Sequence, residues 1–267
     1  MSQKENKKTF SLIWKLARND FKTRYAGSYL GALWALIQPV VTVLMYYIVF
    51  DRIFKQRAAA VSGGIEVPYV LFLTSGLVPW FYFSEGLSNG ANALVQYSYL
   101  VKKVVFKIDI LPVIKVVAAS FIHVFFVFVL LIIAAIYGYY PNLYTIQLLY
   151  YSFCMFVLLL SLSYATSAVV VFFRDLNQII SIFLQIGMWA TPILWSITLL
   201  SDKWQTAMKI INPVAYVVLG YRMTICESRG FWTDPLYTAY FWCVIAVLFL
   251  LGRTIFKKLK IHFADVL

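Results

Sequence analysis

Six long apolar segments dominate this sequence and limit the folds that it can adopt. They lie at residues 33–53, 69–94, 113–137, 148–173, 179–199 and 236–251. A helix that spans a bilayer needs about 20 mostly apolar residues, and each segment comes close to that length. Charged residues make up only 13% of the chain, whereas a soluble domain has about 25%. We therefore predict an all-α integral membrane protein with six transmembrane helices.

The positions of lysine and arginine predict the orientation of these helices. The chain has 23 such residues and a formal net charge of +12. With a cytoplasmic N-terminus, sixteen of them fall on the cytoplasmic side and seven on the other side. Cytoplasmic loops carry the excess of positive charge in membrane proteins, so we expect both termini to be cytoplasmic. Basic residues that flank the spans also account for the positive net charge, so a nucleic-acid partner is not needed to explain it.

The residues ahead of the first span have the pattern of a helix that lies along a membrane surface. Apolar and polar side chains alternate there at spacings of three and four residues, with Phe10, Ile13, Trp14, Ala17 and Phe21 against Lys15, Arg18, Asn19 and Lys22. This spacing predicts an amphipathic interface helix at residues 10–24. The chain then divides into a cytoplasmic N-terminus (1–32), a transmembrane domain (33–256) and a cytoplasmic tail (257–267).

Two connections between the spans are more than simple turns. The 96–111 loop mixes apolar and basic residues in a way that suits a short interfacial helix. The 198–235 segment is too apolar for a solvated loop, and it predicts two short helices, near 203–211 and 214–227, broken at Asn212-Pro213. Helices of this length cannot cross a bilayer alone, so we expect them to be re-entrant or interfacial and sheltered by protein.

Few residues suggest chemistry within the chain itself. The sequence has no GxxxxGK[ST] phosphate-binding loop, and its cysteines and histidines lack metal-ligand spacing, so we expect no metal site. Glu85 falls inside the second span, where a carboxylate faces a polar cavity, hydrogen-bonds a neighbouring helix or serves a proton relay. His123, alone in the third span, is more typical of a residue that packs against another helix.

Aromatic residues form 18% of the chain and gather near the ends of the spans. Tyrosine and tryptophan at such positions are typical of the interfacial belts of membrane proteins. Aromatic faces also stack on sugar rings, so a path for carbohydrate is the alternative interpretation. The candidates for such a path are Trp34, Trp80, Tyr82, Glu85, Trp189, Trp195 and Tyr216.

Several short motifs follow one another along the chain. They are Arg24-Tyr25-Ala26-Gly27-Ser28-Tyr29-Leu30-Gly31-Ala32-Leu33-Trp34, Gln38-Pro39, Gly76-Leu77-Val78-Pro79-Trp80, Leu100-Val101-Lys102-Lys103, Phe173-Arg174-Asp175-Leu176, Thr191-Pro192-Ile193, Asn212-Pro213 and Phe263-Ala264-Asp265-Val266. In this order and spacing the chain resembles the polysaccharide-export permeases of the type-two ABC exporter superfamily. Those permeases export O-antigen, capsular polysaccharide or teichoic acid. The resemblance covers essentially the whole chain.

The resemblance implies a half-transporter that forms a homodimer and binds two copies of a separate ATPase subunit, which holds ATP and Mg²⁺. It implies ATPase contacts on the interface helix and the 96–111 loop, at Trp14, Arg18, Lys22, Lys102, Lys103, Phe106, Lys107 and Asp109. The implied substrate is an undecaprenyl-linked glycan, whose diphosphate would meet Arg24, Lys102 and Lys103. The chain itself is then a transport subunit rather than an enzyme, without a cofactor, in the cytoplasmic (inner) membrane of a bacterium.

Three other functions fit fewer of these features. A permease of the same superfamily for a drug or a lipid usually has a larger outer domain or a fused ATPase. A membrane glycosyl or acyl transferase would show clustered Asp, Glu or His residues near one face. A proton-coupled carrier would rest on Glu85 alone. A polysaccharide exporter is therefore the predicted function.

Overall fold

A computed structural model describes residues 3–24, 29–55, 58–61, 65–102 and 106–267 of the chain, and these residues are mostly helical. In chain order the helices are α1 (Gln3–Arg24), α2 (Trp34–Tyr47), α3 (Tyr69–Ala91), α4 (Ala93–Gln96), α5 (Ser98–Val101), α6 (Leu111–Ile136), α7 (Gln147–Phe172), α8 (Leu176–Ala190), α9 (Asp202–Ile211), α10 (Pro213–Cys226), α11 (Pro235–Leu259) and α12 (Phe263–Val266). The predicted helical class is correct apart from one small antiparallel ladder, β1 (Ala58–Ala60) with β2 (Glu66–Pro68), in which Ala59 pairs with Val67. This ladder satisfies backbone groups in the short connection between α2 and α3.

Four helices are long and apolar enough to cross a membrane: α3, α6, α7 and α11. They match the second, third, fourth and sixth predicted spans, and α11 continues past the predicted end of its span. The other two predicted spans form shorter helices. Helix α2 passes into a π-helical stretch, Ile48–Ile53, and α8 has 15 residues, which is about 22 Å of helix against a hydrocarbon core of about 30 Å. The protein is therefore membrane-embedded, and the count of six spans stays a prediction.

The prediction of one continuous fifth span at 179–199 is wrong in its second half. Helix α8 ends at Ala190, and Thr191 is extended, with φ −76° and ψ 141°. Thr191 precedes Pro192, and the proline ring disfavours helical backbone at the residue before it. The chain leaves the helix here and turns back into the bundle, where the hydroxyl of Tyr69 donates a hydrogen bond to the carbonyl oxygen of Leu194 at 2.8 Å.

Helix α3 lies at the centre of the bundle, against α6, α7 and α10. Among the most apolar 18 residues of α3, 78% are buried, compared with 22% of the corresponding residues of α11. The polar side chains that make α3 the weakest span by sequence therefore lie within the bundle, against other helices or along a cavity between them. Helix α11 instead packs closely on α7, where the absence of a side chain at Gly252 leaves room for the Ser161 carbonyl oxygen.

The 198–235 segment contains the two predicted short helices, α9 and α10. They are separated at Asn212, whose side-chain oxygen accepts a hydrogen bond from the Val214 amide at 3.0 Å, with Pro213 at the first position of α10. Pro213 suits that position because the first helical amide needs no intrahelical partner. Most residues of α10 are buried and none of α9 is. Helix α10 is therefore sheltered by protein, as predicted for backbone at membrane depth.

Arg222 of α10 holds the irregular chain that follows α8. Its guanidinium donates hydrogen bonds to the carbonyl oxygens of Pro192 and Ile193, and to that of Phe72 at 3.3 Å. The guanidinium also lies 3.5 Å from the centroid of the Phe72 ring. We call these contacts the Arg222 site, and the part of the molecule around it the α10 end. The carbonyl groups of Pro192 and Ile193, which lie in the non-helical chain after α8, are thus satisfied by a side chain.

At the other end of α3, three parts of the chain share one apolar cluster. The cluster brings Ala17 of α1 together with Val101 and Ile110 of the 96–111 loop and with Phe256 and Phe263 near the C-terminus. We call this part of the molecule the α1 end. The fold therefore places the interface helix, the 96–111 loop and the tail side by side.

Candidate functional site

Helix α1 docks on α6 through the apolar face that its sequence predicts. Ala17 is fully buried, and the rings of Trp14 and Phe21 meet the Phe121 ring edge-on, with centroid distances of 5.1 and 6.1 Å. Edge-to-face pairs at such distances are a favourable arrangement of aromatic rings. Phe10 stays 70% exposed, so the apolar face of α1 extends beyond its contact with α6.

The inward face of α1 also carries a buried carboxylate, Asp20, which the sequence analysis does not single out. Lys115 of α6 and Arg24 form ion pairs with Asp20, the latter at 3.1 Å, and the Tyr97 hydroxyl donates to it at 2.8 Å. Asp20 and Lys115 are only 6% and 3% exposed. The sequence did carry a signal for Asp20. Asp20 and Arg24 follow Ala17 at helical spacing, which places both side chains on the inward face of α1.

The groups around Asp20 together affect its pKa more than burial does. Burial raises the pKa of Asp20, but the hydrogen bond and charge of Lys115, together with Tyr97 and Arg24, hold that pKa below its usual value. Lys115 also donates to the side-chain oxygen of Gln96 at 2.5 Å. Buried charges are tolerated when they are paired and hydrogen-bonded in this way. The contacts fix α1 to α6 and to the start of the 96–111 loop.

Arg24 joins this group to Glu85 of α3. Its guanidinium donates through Nη1 to a Glu85 carboxylate oxygen and through Nη2 to Asp20. The side chains of Arg24 and Glu85 are 21% and 24% exposed. One of the expected environments of Glu85, a hydrogen bond to a neighbouring helix, is therefore confirmed. We call Asp20, Arg24, Glu85, Tyr97 and Lys115 the Asp20 network.

A cavity of about 530 Å³ opens beside the Asp20 network. Its walls come from α1, α2, α3, α6 and α8 and include Arg24, Trp34, Trp80, Tyr82, Glu85 and His123. We call it the Arg24 cavity. Gly31 helps to place Trp34 at the wall of the cavity. The φ angle of Gly31 is +51°, which turns the chain into α2, and such a φ favours glycine. The structure therefore brings together four of the seven residues considered for a glycan path, and adds Arg24.

His123 packs in the wall of the Arg24 cavity. Its Nε2 lies 3.0 Å from the Ser152 hydroxyl oxygen and 2.9 Å from that of Tyr221, and these two hydroxyl oxygens are 2.7 Å apart. Its ring stacks on Tyr82 with the centroids 4.4 Å apart. The prediction of a residue that packs between helices is confirmed. One face of Tyr82 is consequently covered by His123.

The other three candidates for a glycan path lie away from this cavity. Trp189, near the end of α8, is 60% exposed, and its carbonyl oxygen accepts a hydrogen bond from the Trp195 indole at 2.9 Å. Tyr216 of α10 is buried, stacks on Phe241 at a centroid distance of 4.2 Å, and lines a separate cavity of about 150 Å³ at the α10 end. The structure therefore does not join all seven residues into one path.

The described residues among those predicted to contact an ATPase lie around the α1 end. Lys15, Arg18 and Lys22 are exposed on α1, and Trp14 is 50% exposed. Of the 96–111 loop the structure describes residues 96–102 and 106–111: α5 ends at Val101, Phe106 and Lys107 are not helical, and a 3₁₀ turn covers Ile108–Ile110. Lys102 is exposed, whereas Lys103 lies outside the described residues.

The C-terminal tail anchors the far side of this loop. Lys260 forms an ion pair with Asp109 at 2.7 Å, and the Tyr164 hydroxyl donates to the Asp109 carbonyl oxygen at 3.1 Å. Phe263 is fully buried and meets the Phe256 ring edge-on at 5.5 Å. Lys260 thus anchors the loop that carries Asp109, and Phe263 of the 263–266 motif packs in the same apolar cluster as Ile110.

The apolar bundle, the surface helix and the polar cavity define a helical membrane permease. The model of the family described as ABC-2 type transporter matches residues 11–226, so the chain belongs to this family. It is accordingly the permease subunit of an ABC exporter. The matched residues include α1 from Ser11 onward, the Arg24 cavity and α10.

Curated relatives extend the likeness to nearly the whole chain. The O-antigen export system permease protein RfbA of Myxococcus xanthus is 28% identical over 255 residues, which cover 95% of this chain and 94% of the relative. A permease of the same name from Klebsiella pneumoniae is 26% identical over 262 residues, or 97% and 95% of the two chains. The likeness to polysaccharide-export permeases that the motifs predict is confirmed.

Proposed function

We propose that this permease exports a lipid-linked polysaccharide, such as O-antigen, a capsular glycan or teichoic acid. The observation that carries the proposal is the Arg24 cavity, where a guanidinium and the aromatic side chains Trp34 and Trp80 line one space. A guanidinium suits the diphosphate of an undecaprenyl carrier, because its planar donors match phosphate oxygens. Trp34, which is 48% exposed, suits stacking on a sugar ring, whereas Trp80 is only 3% exposed. The relatives named for O-antigen export support the same substrate class.

Energy for export comes from a separate ATPase, which supplies ATP and Mg²⁺. Two ATPase copies bind a homodimer of this chain, through the exposed side chains of Trp14, Arg18 and Lys22 and the exposed Lys102. Closure of the ATPases on ATP moves α1 and the 96–111 loop together, since both belong to one packed cluster. The two permeases then shift at their mutual interface, and the glycan passes between them. In this arrangement the chain crosses the bacterial inner membrane six times and both of its termini are cytoplasmic.

Reconstitution tests this function directly. The chain is co-purified with the nucleotide-binding subunit from its own organism, the subunit ratio is measured by native mass spectrometry, and both are placed in inverted vesicles. We expect a two-to-two complex and ATP-dependent uptake of radiolabelled undecaprenyl-diphosphate glycan. If the chain retains no such subunit and moves the glycan equally well without ATP, the proposal fails. Uptake of a lipid without glycan at the same rate would favour a lipid exporter instead.

A further inference from the structure

One guanidinium, that of Arg24, connects the wall of the Arg24 cavity to α1. Nη1 of Arg24 pairs with Glu85 of α3, and Nη2 pairs with Asp20 of its own helix at 3.1 Å. The two pairs differ in access to solvent, because the Glu85 side chain is 24% exposed and that of Asp20 is 7% exposed. The Glu85 side of Arg24 is therefore the side that a molecule in the cavity can reach.

Arg24 is not the only group that compensates the buried charge of Asp20. The Lys115 ammonium and the Tyr97 hydroxyl also donate to its carboxylate, and Lys115 is held in place by Gln96. A buried carboxylate that loses one of three donors keeps most of its compensation, whereas one that loses its last donor does not. Arg24 can thus change partners without leaving Asp20 uncompensated.

Glu85 binds Nη1 of the Arg24 guanidinium, where another anion could bind instead. A phosphate carries more charge than a carboxylate and accepts the paired N–H groups of a guanidinium equally well. Glu85 can turn into the cavity when it is displaced, because the cavity of about 530 Å³ also exposes the polar side chains Ser84, Ser88 and Gln38. Exchange of one anion for another leaves the number of charge pairs on Arg24 unchanged.

We infer that Glu85 is a resident anion that a phosphate or diphosphate group displaces from Arg24 when it enters the cavity. The inference rests on the proposed function and deepens it, since it assigns a specificity-determining role to Glu85 and a shared binding role to Arg24. Arg24 is the last residue of α1. Occupation of the cavity therefore changes the contacts at the end of the helix that is proposed to meet the ATPase.

The test measures binding of radiolabelled undecaprenyl diphosphate to the intact permease–ATPase complex in lipid nanodiscs. Glu85→Gln removes the competing charge, so we expect the apparent Kd to fall about tenfold, as when a binding-competent state becomes fully populated. Arg24→Gln should weaken binding at least about tenfold. In the double variant Arg24→Gln/Glu85→Gln the gain from the Glu85 change should disappear. Glu66→Gln, an exposed carboxylate on β2, is the matched control and should not alter the Kd.

Several results would overturn the inference. Unchanged binding in Glu85→Gln, or a gain that persists in the double variant, overturns it while leaving the export function intact. A wild-type complex that does not bind undecaprenyl diphosphate overturns both. Competition by phosphatidylglycerol or by soluble pyrophosphate distinguishes the source: equal displacement by phosphatidylglycerol overturns the preference for a diphosphate. If Glu85→Gln misfolds by its melting profile, Glu85→Asp replaces it, with a smaller gain expected because the shorter carboxylate reaches Arg24 less well.

Discussion

The α1 end and the α10 end each bury basic side chains, but they compensate them with different groups. Lys115 and Arg24 at the α1 end pair with the carboxylates of Asp20 and Glu85. Arg222 at the α10 end instead donates to backbone carbonyl oxygens and lies over the Phe72 ring. Side-chain pairs can exchange partners, whereas carbonyl groups are fixed by the chain. The difference indicates a switchable contact at the α1 end and a permanent brace at the α10 end.

The largest effect is expected from removing the brace. Arg222→Met keeps the apolar stem of the side chain but leaves the carbonyl oxygens of Pro192 and Ile193 without the guanidinium donor, whereas that of Phe72 still accepts from the Ser75 hydroxyl at 2.8 Å. We expect a loss of about 4 kcal/mol or more in unfolding free energy, since each buried unsatisfied group costs about 1–3 kcal/mol. Thermal unfolding of the detergent-solubilised protein measures it. Arg174→Met, at an exposed arginine between α7 and α8, should cost less than about 1 kcal/mol. Equal losses in both variants would contradict the brace.

A smaller and more local loss is expected at the α1 end. Lys115→Met leaves Asp20 buried with one fewer cation, which should weaken the docking of α1 by about 2–3 kcal/mol. Hydrogen exchange of the α1 amides measures this docking separately from the rest of the bundle. Adding Asp20→Asn should recover part of the loss, because the uncompensated charge is then gone. Lys8→Met, at an exposed lysine of α1, is the control. Loss of protection throughout the bundle would show that the two ends are not independent.

The exposed cationic face of α1 is expected to act on the partner rather than on the fold. Reversal of Lys15, Arg18 and Lys22 to Glu should weaken association with the ATPase about tenfold, through changed electrostatic complementarity. The melting temperature should change little, because all three side chains are exposed. Pull-down of the ATPase measures the association. Lys203→Glu, exposed on α9 at the other end, is the matched control, and an equal loss there would contradict a docking surface on α1.

Acid should loosen the α1 end and leave the Arg222 site unaffected. The pKa of Asp20 is lower in the folded protein than in the unfolded chain, because Lys115, Tyr97 and Arg24 favour its charged form over the effect of burial. Its contribution is therefore fully present above the ordinary aspartate pKa and is lost as the pH falls through the lowered value. Hydrogen exchange of α1 over a pH series, corrected for intrinsic rates, measures this. Asp20→Asn should remove the dependence, and an unchanged profile in that variant would exclude Asp20 as its source.

Periodic patterns were predictable from the sequence, and contacts between distant residues were not. The spacing of Ala17 and Phe21 predicted the docked face of α1, and Asn212-Pro213 predicted the break between α9 and α10; both depend on neighbouring residues and are confirmed. Thr191-Pro192 carried the signal for the end of α8, but the apolar residues after it predicted a longer span. Local steric restriction at proline was stronger than hydropathy there.

The candidate site shows the same division. Arg24, Trp34, Trp80, Tyr82 and Glu85 were candidates from residue type and motif, and the fold places them around one cavity. Trp189, Trp195 and Tyr216 had equal standing in the sequence and lie elsewhere. The direction in which an aromatic side chain points depends on the rotation of its helix, and tertiary packing sets that rotation.

The sequence by itself determined that this is a helical membrane protein with a cationic surface helix, because hydropathy and helical period are properties of neighbouring residues. It also carried the motifs of the ABC-2 family. Only the tertiary structure decided that α3, the most polar of the predicted spans, lies at the centre, and that Lys115 and Arg222 are buried rather than simple topological charges. The physical reason is that a buried charge is stable only beside its partners, and Asp20 is 95 positions from Lys115 in the chain.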